Sequence, residues 1–322
     1  MNAPRLSIGL PVYNGEEYLA QSLDALLGQT YTDFELVVSS NASTDATDDI
    51  CRDYAARDPR IRFHRQVSNV GAVPNHNFVL DRARGELFKW ASGDDLYARD
   101  LLERCIALLD SDPTAVLAHA WTAAIDADNT LIQALPYPLA TDAQRAPERL
   151  RSALFGGDAL PGAICADDFY GVFRTDVLRS VKPLDSYFHS DRTYMAELAL
   201  HGRFLQVPEW LYFRRHHPGR TTTPEVRAVC RNLDPRRADR WRHPTVRLVG
   251  EYVWDYFAMI GRAPLTESER RQCYGLVMRW LGHRIHRRLP GATHPAAPTF
   301  QGDIHVDAAP VASVVAGQTH RT

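Results

Sequence analysis

Hydrophobic and polar positions follow two periods through the first 125 residues. Short apolar runs such as "LSIGLPV", "FELVV" and "ELFKWA" predict buried strands. The segments between them carry apolar residues at helical spacing, such as Leu19 and Leu23, and Gly28 is the predicted end of that helix. Ser43 is the predicted N-cap of the next helix. Strands that alternate with helices predict an α/β fold, in which helices flank a mostly parallel sheet.

The pattern becomes less regular in the second part of the chain, where short strands and loops surround one clear helix near Asp191. Two further helices are predicted at 247–262 and 266–289, and a capping box opens the second of them. The last residues are rich in Pro, Ala and Gly without periodicity, which predicts a disordered tail. The predicted units are a domain over 1–224 with halves at 1–125 and 126–224, a helical C-terminal extension over 225–290, and the tail over 291–322.

Composition and charge remove several classes of function. The chain of 322 residues has a formal net charge of −2, which disfavours a nucleic-acid partner. Five cysteines without a C-x-x-C pair indicate reduced thiols rather than a disulfide framework or a zinc site. The sequence shows no leader pattern and no apolar run of bilayer length, so the predicted location is the cytoplasm. Arginines crowd residues 227–288, which adds a possible peripheral contact with the inner face of a membrane.

Two adjacent carboxylates, Asp94 and Asp95, follow one of the predicted strands. Ligands of parallel sheets collect beyond the carboxyl ends of the strands. Neither G-x-G-x-x-G nor G-x-x-x-x-G-K-[ST] occurs, which argues against a dinucleotide enzyme and a P-loop ATPase. Like charges side by side need either open water or a cation. A divalent metal that bridges carboxylate to diphosphate is therefore the predicted reason for the pair.

Several segments carry a family resemblance in a fixed order. They are "SIGLPVYNGEEYLAQSLDALLGQTYTDFELVVSSNASTDAT", "NVGAVPNHNF", "ARGELFKWASGDD" and "GRFLQVPEWLYFRRHHPG". Over roughly residues 5–220 the chain resembles the family 2 glycosyltransferases, which have the Rossmann-like GT-A fold. The resemblance implies a nucleotide-binding half, an acceptor half and a nucleotide-diphosphate sugar as donor. It further implies an inverting enzyme with Mg or Mn as cofactor and a hydroxyl of a glycan or lipid-linked molecule as acceptor, within polysaccharide biosynthesis.

The resemblance also assigns roles on the donor side. Pro11, Tyr13 and Glu17 are expected to line the base and ribose end of the nucleotide. Ser40 stands where the family usually has an aspartate that hydrogen-bonds the base, and a serine hydroxyl cannot supply a charged acceptor. The nature of the base is therefore left open.

Further implied positions surround the diphosphate. Arg65 and Asn75 fall near the loop that approaches the donor. Asp95 is the expected metal ligand, and Asp94 is the expected partner of the ribose or of the metal's ligands. Gly93 stands two positions before Asp95, where many relatives have a third acid, so the charge at this site is lower than usual.

The second half is expected to supply the base and a cap over the diphosphate. Asp191 corresponds to the carboxylate that removes the proton of the acceptor hydroxyl in the family. His217 is expected to join the metal ligands, with His216 an equal alternative. Arg215, beside Arg214, is expected to neutralise the leaving diphosphate.

Other interpretations of the same residues remain open. A sugar-phosphate nucleotidyltransferase would use a related sheet, although "PVYNGEEY" is not the glycine-rich loop of such enzymes. A non-catalytic nucleotide- or glycan-binding module fits the weakened acidic motif and Ser40. Asp94 and Asp95 also fit a solvated turn, and Asp191 fits an ordinary helix N-cap.

The last predicted helix has two possible environments. Its apolar stripe is surrounded by arginines, a pattern that fits a helix lying on an anionic membrane. The same stripe fits a helix that packs on the domain and leaves its arginines in water. The stripe consists of Tyr274, Val277, Met278, Leu281 and Ile285.

Overall fold

The computed structural model describes residues 3–134, 140–159, 167–219 and 225–286, and the predicted tail at 291–322 lies outside them. The strands are β1 (Leu6–Val12), β2 (Phe34–Ser40), β3 (Ile61–Arg65), β4 (Leu87–Trp90), β5 (Leu96–Tyr97), β6 (Ala115–Ile125), β7 (Leu131–Ala134), β8 (Val172–Arg174) and β9 (Arg203–Arg215). The helices are α1 (Leu19–Leu27), α2 (Thr47–Arg57), α3 (Ala72–Asp81), α4 (Leu101–Ser111), α5 (Ala146–Ala159), α6 (Thr175–Ser180), α7 (Ser190–His201), α8 (Val226–Leu233), α9 (Thr245–Arg262) and α10 (Glu267–His286).

The strands of the described chain form one sheet in the order β3–β2–β1–β4–β8–β6–β9–β5, and β7 pairs with β6. Strands β1, β2, β3 and β4 pair in parallel, as do β6 and β9. Strand β8 lies antiparallel between β4 and β6. The other strands named here, β1, β2, β3, β4, β6 and β9, therefore all run in one direction. The expected α/β fold with a mostly parallel sheet is confirmed.

Helices cover both faces of the sheet. On one face Leu10 of β1 packs in a cluster with Leu23 of α1 and Leu102 of α4. On the other face Val37 of β2 packs in a cluster with Val79 of α3. Burial on both faces explains why the first strands are almost continuously apolar rather than alternating.

The C-terminal extension shares a core with the second half of the domain. Apolar side chains of α5, α7, α9 and α10 form one cluster, in which Val277 and Trp280 of α10 are buried. Thr266 and Glu269 make the predicted capping box, because each backbone N–H donates to the other residue's side chain at 3.1 and 3.3 Å. Tyr274, Val277 and Leu281 of the apolar stripe thus pack on the domain, whereas Met278 is 59% exposed. The side chain of Ile285 lies outside the described part of the structure.

Two local predictions were wrong for identifiable reasons. Ser43 does not cap α2, which begins four residues later at Thr47; its hydroxyl accepts the N–H of Asn14 at 3.1 Å instead. The second half also contains β9, a strand of 13 residues where only short strands were expected. In the described part of the chain, no helix has the length and apolarity needed to cross a bilayer.

Replacing Trp280 by alanine is expected to lower the free energy of unfolding by about 3–5 kcal/mol, because a large buried aromatic leaves a cavity. The measurement is urea unfolding followed by circular dichroism. Met278→Ala on the same helix is the control and should change stability by about 0.5 kcal/mol or less. If unfolding shows two transitions and Trp280→Ala shifts only the earlier one, the extension folds independently of the rest of the domain.

Candidate functional site

The site lies where the chain leaves β4 and β9. Asp94 and Asp95 lie in the loop between β4 and β5. Strand β5 pairs antiparallel with the end of β9, with Leu96 opposite Phe213. This pairing holds the acidic loop beside the residues that follow β9, and it brings together two segments about 120 residues apart in the sequence.

Asp94 and His217 face each other in this place. The Oδ2 of Asp94 lies 3.2 Å from the Nε2 of His217, and the Asp94 side chain is 25% exposed. The hydroxyl of Ser92 donates to the other carboxylate oxygen. The ring of Tyr18 contacts the His217 imidazole at a centroid distance of 4.8 Å. The neighbouring His216 is exposed, and its backbone N–H donates to the carbonyl of Ile125 at 2.8 Å.

Asp95 has different surroundings, although it is the next residue. Its side chain is fully buried, and one carboxylate oxygen accepts the backbone N–H of Arg215 at 2.8 Å. The other oxygen accepts the hydroxyl of Tyr212. Its backbone carbonyl accepts the hydroxyl of Ser22 at 2.6 Å. A buried carboxylate with both oxygens hydrogen-bonded holds the loop in place.

A buried lysine lies below the loop. The ammonium of Lys89 on β4 donates to the backbone carbonyl of Tyr170 and lies 5.3 Å from the ring centroid of Tyr97 and 5.7 Å from that of Tyr212. Burial lowers the pKa of Lys89 to about 8, an effect that the negative charge of Asp95 partly opposes. The ammonium of Lys89 thus lies among tyrosine rings close to the acidic loop, where its charge interacts favourably with Asp95.

Arg215 is used by the fold in a way that the sequence did not reveal. Its side chain is fully buried, and burial lowers its pKa. The guanidinium lies 4.5 Å from the centre of the Tyr18 ring. All three nitrogens of the guanidinium donate within the protein. The acceptors are the carbonyl oxygens of Asp94 (2.7 Å), Asp126 (3.3 Å) and Ala127 (3.1 Å) and the side-chain oxygens of Gln21 (3.1 Å) and Asn129 (2.5 Å).

A second polar group lies at the end of β2. The buried hydroxyl of Ser40 donates to the carboxylate of Asp48, and the Nε of Arg65 donates to the other oxygen of that carboxylate. A carboxylate is thus present beside Ser40, but it comes from the first turn of α2. Sequence reasoning missed Asp48 because nothing in the motif marks a residue eight positions further along.

The remaining donor-side residues differ in their exposure. Tyr13 is 49% exposed and Pro11 is partly exposed. The exposed Glu17 accepts the hydroxyl of Tyr18 at 2.8 Å, and this bond raises the pKa of Tyr18. These side chains lie at the carboxyl end of β1 and in the loop that follows it.

Asn75 is buried and holds α3 on β2. Its amide N–H donates to the backbone carbonyl of Ser39 at 2.9 Å, and its amide oxygen accepts the hydroxyl of Ser39 at 2.6 Å. These contacts fasten α3 to the sheet, so the Asn75 side chain has a structural role.

Asp191 lies in the first turn of α7 and is exposed. It is the second residue of the helix, whose N-cap position is His189, so Asp191 is not the N-cap. The preceding turn contains His189 in the left-handed region at φ 58°. Burial lowers the pKa of His189 to about 4, and the nearby Arg192 and Arg284 add to this effect. The turn before Asp191 is therefore held by a neutral, packed imidazole.

Replacing Arg215 by methionine is expected to lower the free energy of unfolding by about 3–5 kcal/mol even without ligand, because several partly buried carbonyl groups lose a buried donor. Urea unfolding measures this. Arg57→Met, which removes an exposed arginine paired with Asp53, is the control and should cost less than about 1 kcal/mol. If Arg215→Met is as stable as the wild type, the result favours the sequence expectation that Arg215 neutralises the leaving diphosphate.

Comparisons with solved structures support the fold. Staphylococcus aureus TarS 1–349 has a TM-score of 0.59 and 17% sequence identity, over 88% of this chain and 73% of that one. TarS has also been solved with UDP-GlcNAc. The mannosyltransferase PcManGT from Pyrobaculum calidifontis, in complex with GDP-Man and Mn²⁺, has a TM-score of 0.51 and 16% identity, over 99% of this chain and 80% of that one. At this level of identity the similarity shows the GT-A fold.

Comparisons of sequence identify the family. An uncharacterized glycosyltransferase of Rickettsia typhi is 30% identical over 154 residues, 48% of this chain and 46% of that protein. The putative glycosyltransferase EpsE of Bacillus subtilis is 34% identical over 110 residues, 34% of this chain and 40% of that protein. The chain thus matches less than half the length of these relatives. Residues 7–177, just over half of the chain, match the description "Glycosyl transferase family 2", and the chain therefore belongs to glycosyltransferase family 2.

Proposed function

We propose that the protein is an inverting, metal-dependent glycosyltransferase. It would move a sugar from a nucleotide-diphosphate sugar to a hydroxyl of a glycan or of a lipid-linked acceptor. The observation that carries the proposal is the pair Asp94 and His217 at the carboxyl edge of the sheet, 3.2 Å apart. The nucleotide sugars bound by TarS and PcManGT support the class of donor.

The pair fits a divalent cation. Neighbouring ligands of one Mg or Mn ion lie ~3 Å from each other, because each lies ~2.1 Å from the metal. In the described part of the chain no group of three or more His, Cys, Asp or Glu side chains converges on one point. Two protein ligands suit a cation that takes its other ligands from diphosphate and water. When bound, such a cation would neutralise the departing diphosphate.

The proposed roles of the two aspartates are the reverse of the sequence expectation. Asp94 is partly exposed and faces His217, so it is the better ligand. Asp95 directs both oxygens at Tyr212 and Arg215, so it positions the loop that presents Asp94. Arg215 is likewise a positioning residue, because its guanidinium holds the backbone of Asp94.

The end of β2 is the proposed place for the nucleotide base. Ser40 and Asp48 offer hydroxyl and carboxylate oxygens there, and Arg65 balances the charge. The exposed ring of Tyr13 supplies a surface on which a base or ribose can stack. Pro11 and Glu17 are proposed to complete this pocket at the carboxyl end of β1.

Asp191 is the proposed base of the transfer step. The acceptor oxygen forms a bond to the anomeric carbon while the bond from that carbon to the diphosphate oxygen breaks on the opposite face, so the configuration inverts. The carboxylate of Asp191 accepts the proton of the acceptor hydroxyl. Its exposure at the start of α7 leaves it accessible to an acceptor. Alignment of the two substrates supplies a further part of the rate.

Replacing Asp94 by asparagine tests the metal assignment. We expect UDP- or GDP-sugars to raise the melting temperature of the wild-type protein only with Mn²⁺ or Mg²⁺ present, because binding to the folded state stabilises it. In Asp94→Asn this metal-dependent shift should disappear, and donor hydrolysis should fall by at least about 100-fold. The ligand-free melting temperature should stay near the wild-type value, since Asp94 is partly exposed.

Asp95→Asn is the matched comparison. It should lower the ligand-free melting temperature, because a buried carboxylate between two donors is lost. If Asp94→Asn keeps a metal-dependent shift while a stable Asp95→Asn loses it, the roles revert to the sequence expectation. Donor binding without any hydrolysis or transfer, in the wild-type protein, would favour a binding module.

Replacing Asp191 by asparagine should leave the donor-induced melting shift unchanged and lower transfer by about 10²–10⁴-fold, because only proton removal is lost. The measurement compares thermal shift with product formation on an accepted substrate, and nuclear magnetic resonance of the product reports the anomeric configuration. Asp176→Asn, an exposed acid in the first turn of α6, is the control. Equal loss of donor binding and transfer would show that Asp191 acts on structure instead.

A further inference from the structure

Helix α9 carries a buried apolar side and a second apolar row beside it. On the buried side Tyr252 and Met259 pack into the domain core, and Leu248 is also buried. The second row follows helical spacing, and in it Val246 is 80% and Trp254 is 71% exposed. A helix of one domain normally needs only one apolar side for its own packing. Val253 and Phe257 of the second row pack against the core cluster, but the packing of the described residues does not explain the exposed Val246 and Trp254.

This second row forms a continuous surface, which we call the α9 outer face. Trp241, four residues before the helix, is a further exposed aromatic residue, and its side chain is 95% exposed. At the other end Phe257 stacks on Tyr274 of α10 at 6.2 Å between ring centroids. The α9 outer face consists of Val246, Val249, Val253, Trp254 and Phe257, and the exposed Trp241 precedes it in the sequence. Exposed apolar surfaces of this kind mark interaction sites.

The segment that contains the α9 outer face carries an excess of arginine, although Arg237 and Arg262 are paired with carboxylates of the protein. Residues 227–262 contain eight arginines and four carboxylates, whereas the whole chain has a net charge of −2. Arg240 and Arg242 are the exposed neighbours of Trp241 on either side in the sequence. Tryptophan and arginine together are typical of surfaces that lie at the headgroup level of an anionic bilayer.

Two other occupants fit the charge less well. A second copy related by a two-fold axis would bring the same arginines together across the interface. The chain beyond α10, residues 287–322, carries three arginines and two aspartates, so it offers no negative complement. We therefore propose that the α9 outer face docks on the anionic surface of a lipid bilayer.

The segment that leads to the docking surface packs on the loop after β3, near the proposed nucleotide-binding residues. The segment Leu233–Pro235, shortly before Trp241, packs closely on Gly71 of the loop after β3, where an added Cβ would lie 2.5 Å from the carbonyl oxygen of Leu233. A docked molecule would hold its site near the membrane, which suits a lipid-linked acceptor; this last step rests on the proposed function. The membrane contact expected from the arginine-rich α10 is thus assigned to α9 instead.

The test is co-sedimentation of the full chain with vesicles. We expect binding to phosphatidylcholine vesicles that contain about one third phosphatidylglycerol, and much weaker binding to pure phosphatidylcholine. Raising the salt concentration from about 0.1 M to about 0.5 M should release the protein. Trp241→Ala and Trp254→Ala should each lower the partition coefficient about tenfold, because a buried indole is lost from the bilayer.

Ile132→Ala, an exposed apolar residue of β7, is the control and should bind vesicles as the wild type does. Absence of vesicle binding, or binding that neither tryptophan variant weakens, would overturn the proposal. A concentration-dependent dimer that Trp254→Ala abolishes, without vesicle binding, would assign the face to a second copy. Donor hydrolysis measured in the same variants separates this proposal from the proposed glycosyl transfer, because loss of docking leaves hydrolysis intact.

Discussion

The buried carboxylate of Asp95 is the contact on which the candidate site depends. It accepts the Tyr212 hydroxyl and the Arg215 N–H, and the Arg215 guanidinium in turn donates to the backbone of Asp94. An unpaired charge in this place would be very costly, so the loop and the end of β9 are held together in one arrangement. The position of Asp94 beside His217 follows from this connection.

The same contact explains how two adjacent acids are tolerated. Asp95 is stabilised by hydrogen-bond donors inside the protein and by the nearby charge of Lys89, while Asp94 faces partly exposed space and an imidazole. The two side chains therefore do not compete for one environment. Asp95 is part of the scaffold, and Asp94 is the proposed metal ligand.

The C-terminal extension lies beside the proposed base and also carries the proposed membrane-docking surface. It shares an apolar cluster with α7, whose second residue is Asp191, and α9 has a second apolar row in which Val246 and Trp254 stay exposed. The turn before α7 also contacts α9, since the rings of His189 and Tyr252 lie 5.7 Å apart. The extension is thus part of the wall beside the proposed base rather than a separate module.

The sequence by itself determined the α/β class, the order of the first strands and helices, and the family, because periodic burial and local motifs are encoded over short distances. Gly28 and the Thr266–Glu269 capping box were predictable for the same reason. Tertiary structure alone decided which aspartate is buried, because that depends on β9 pairing with β5. It also decided that the Arg215 guanidinium donates to backbone carbonyl groups of the protein and that Asp48 lies beside Ser40. These outcomes depend on contacts between distant segments, and neither residue type nor spacing encodes which donor meets which acceptor.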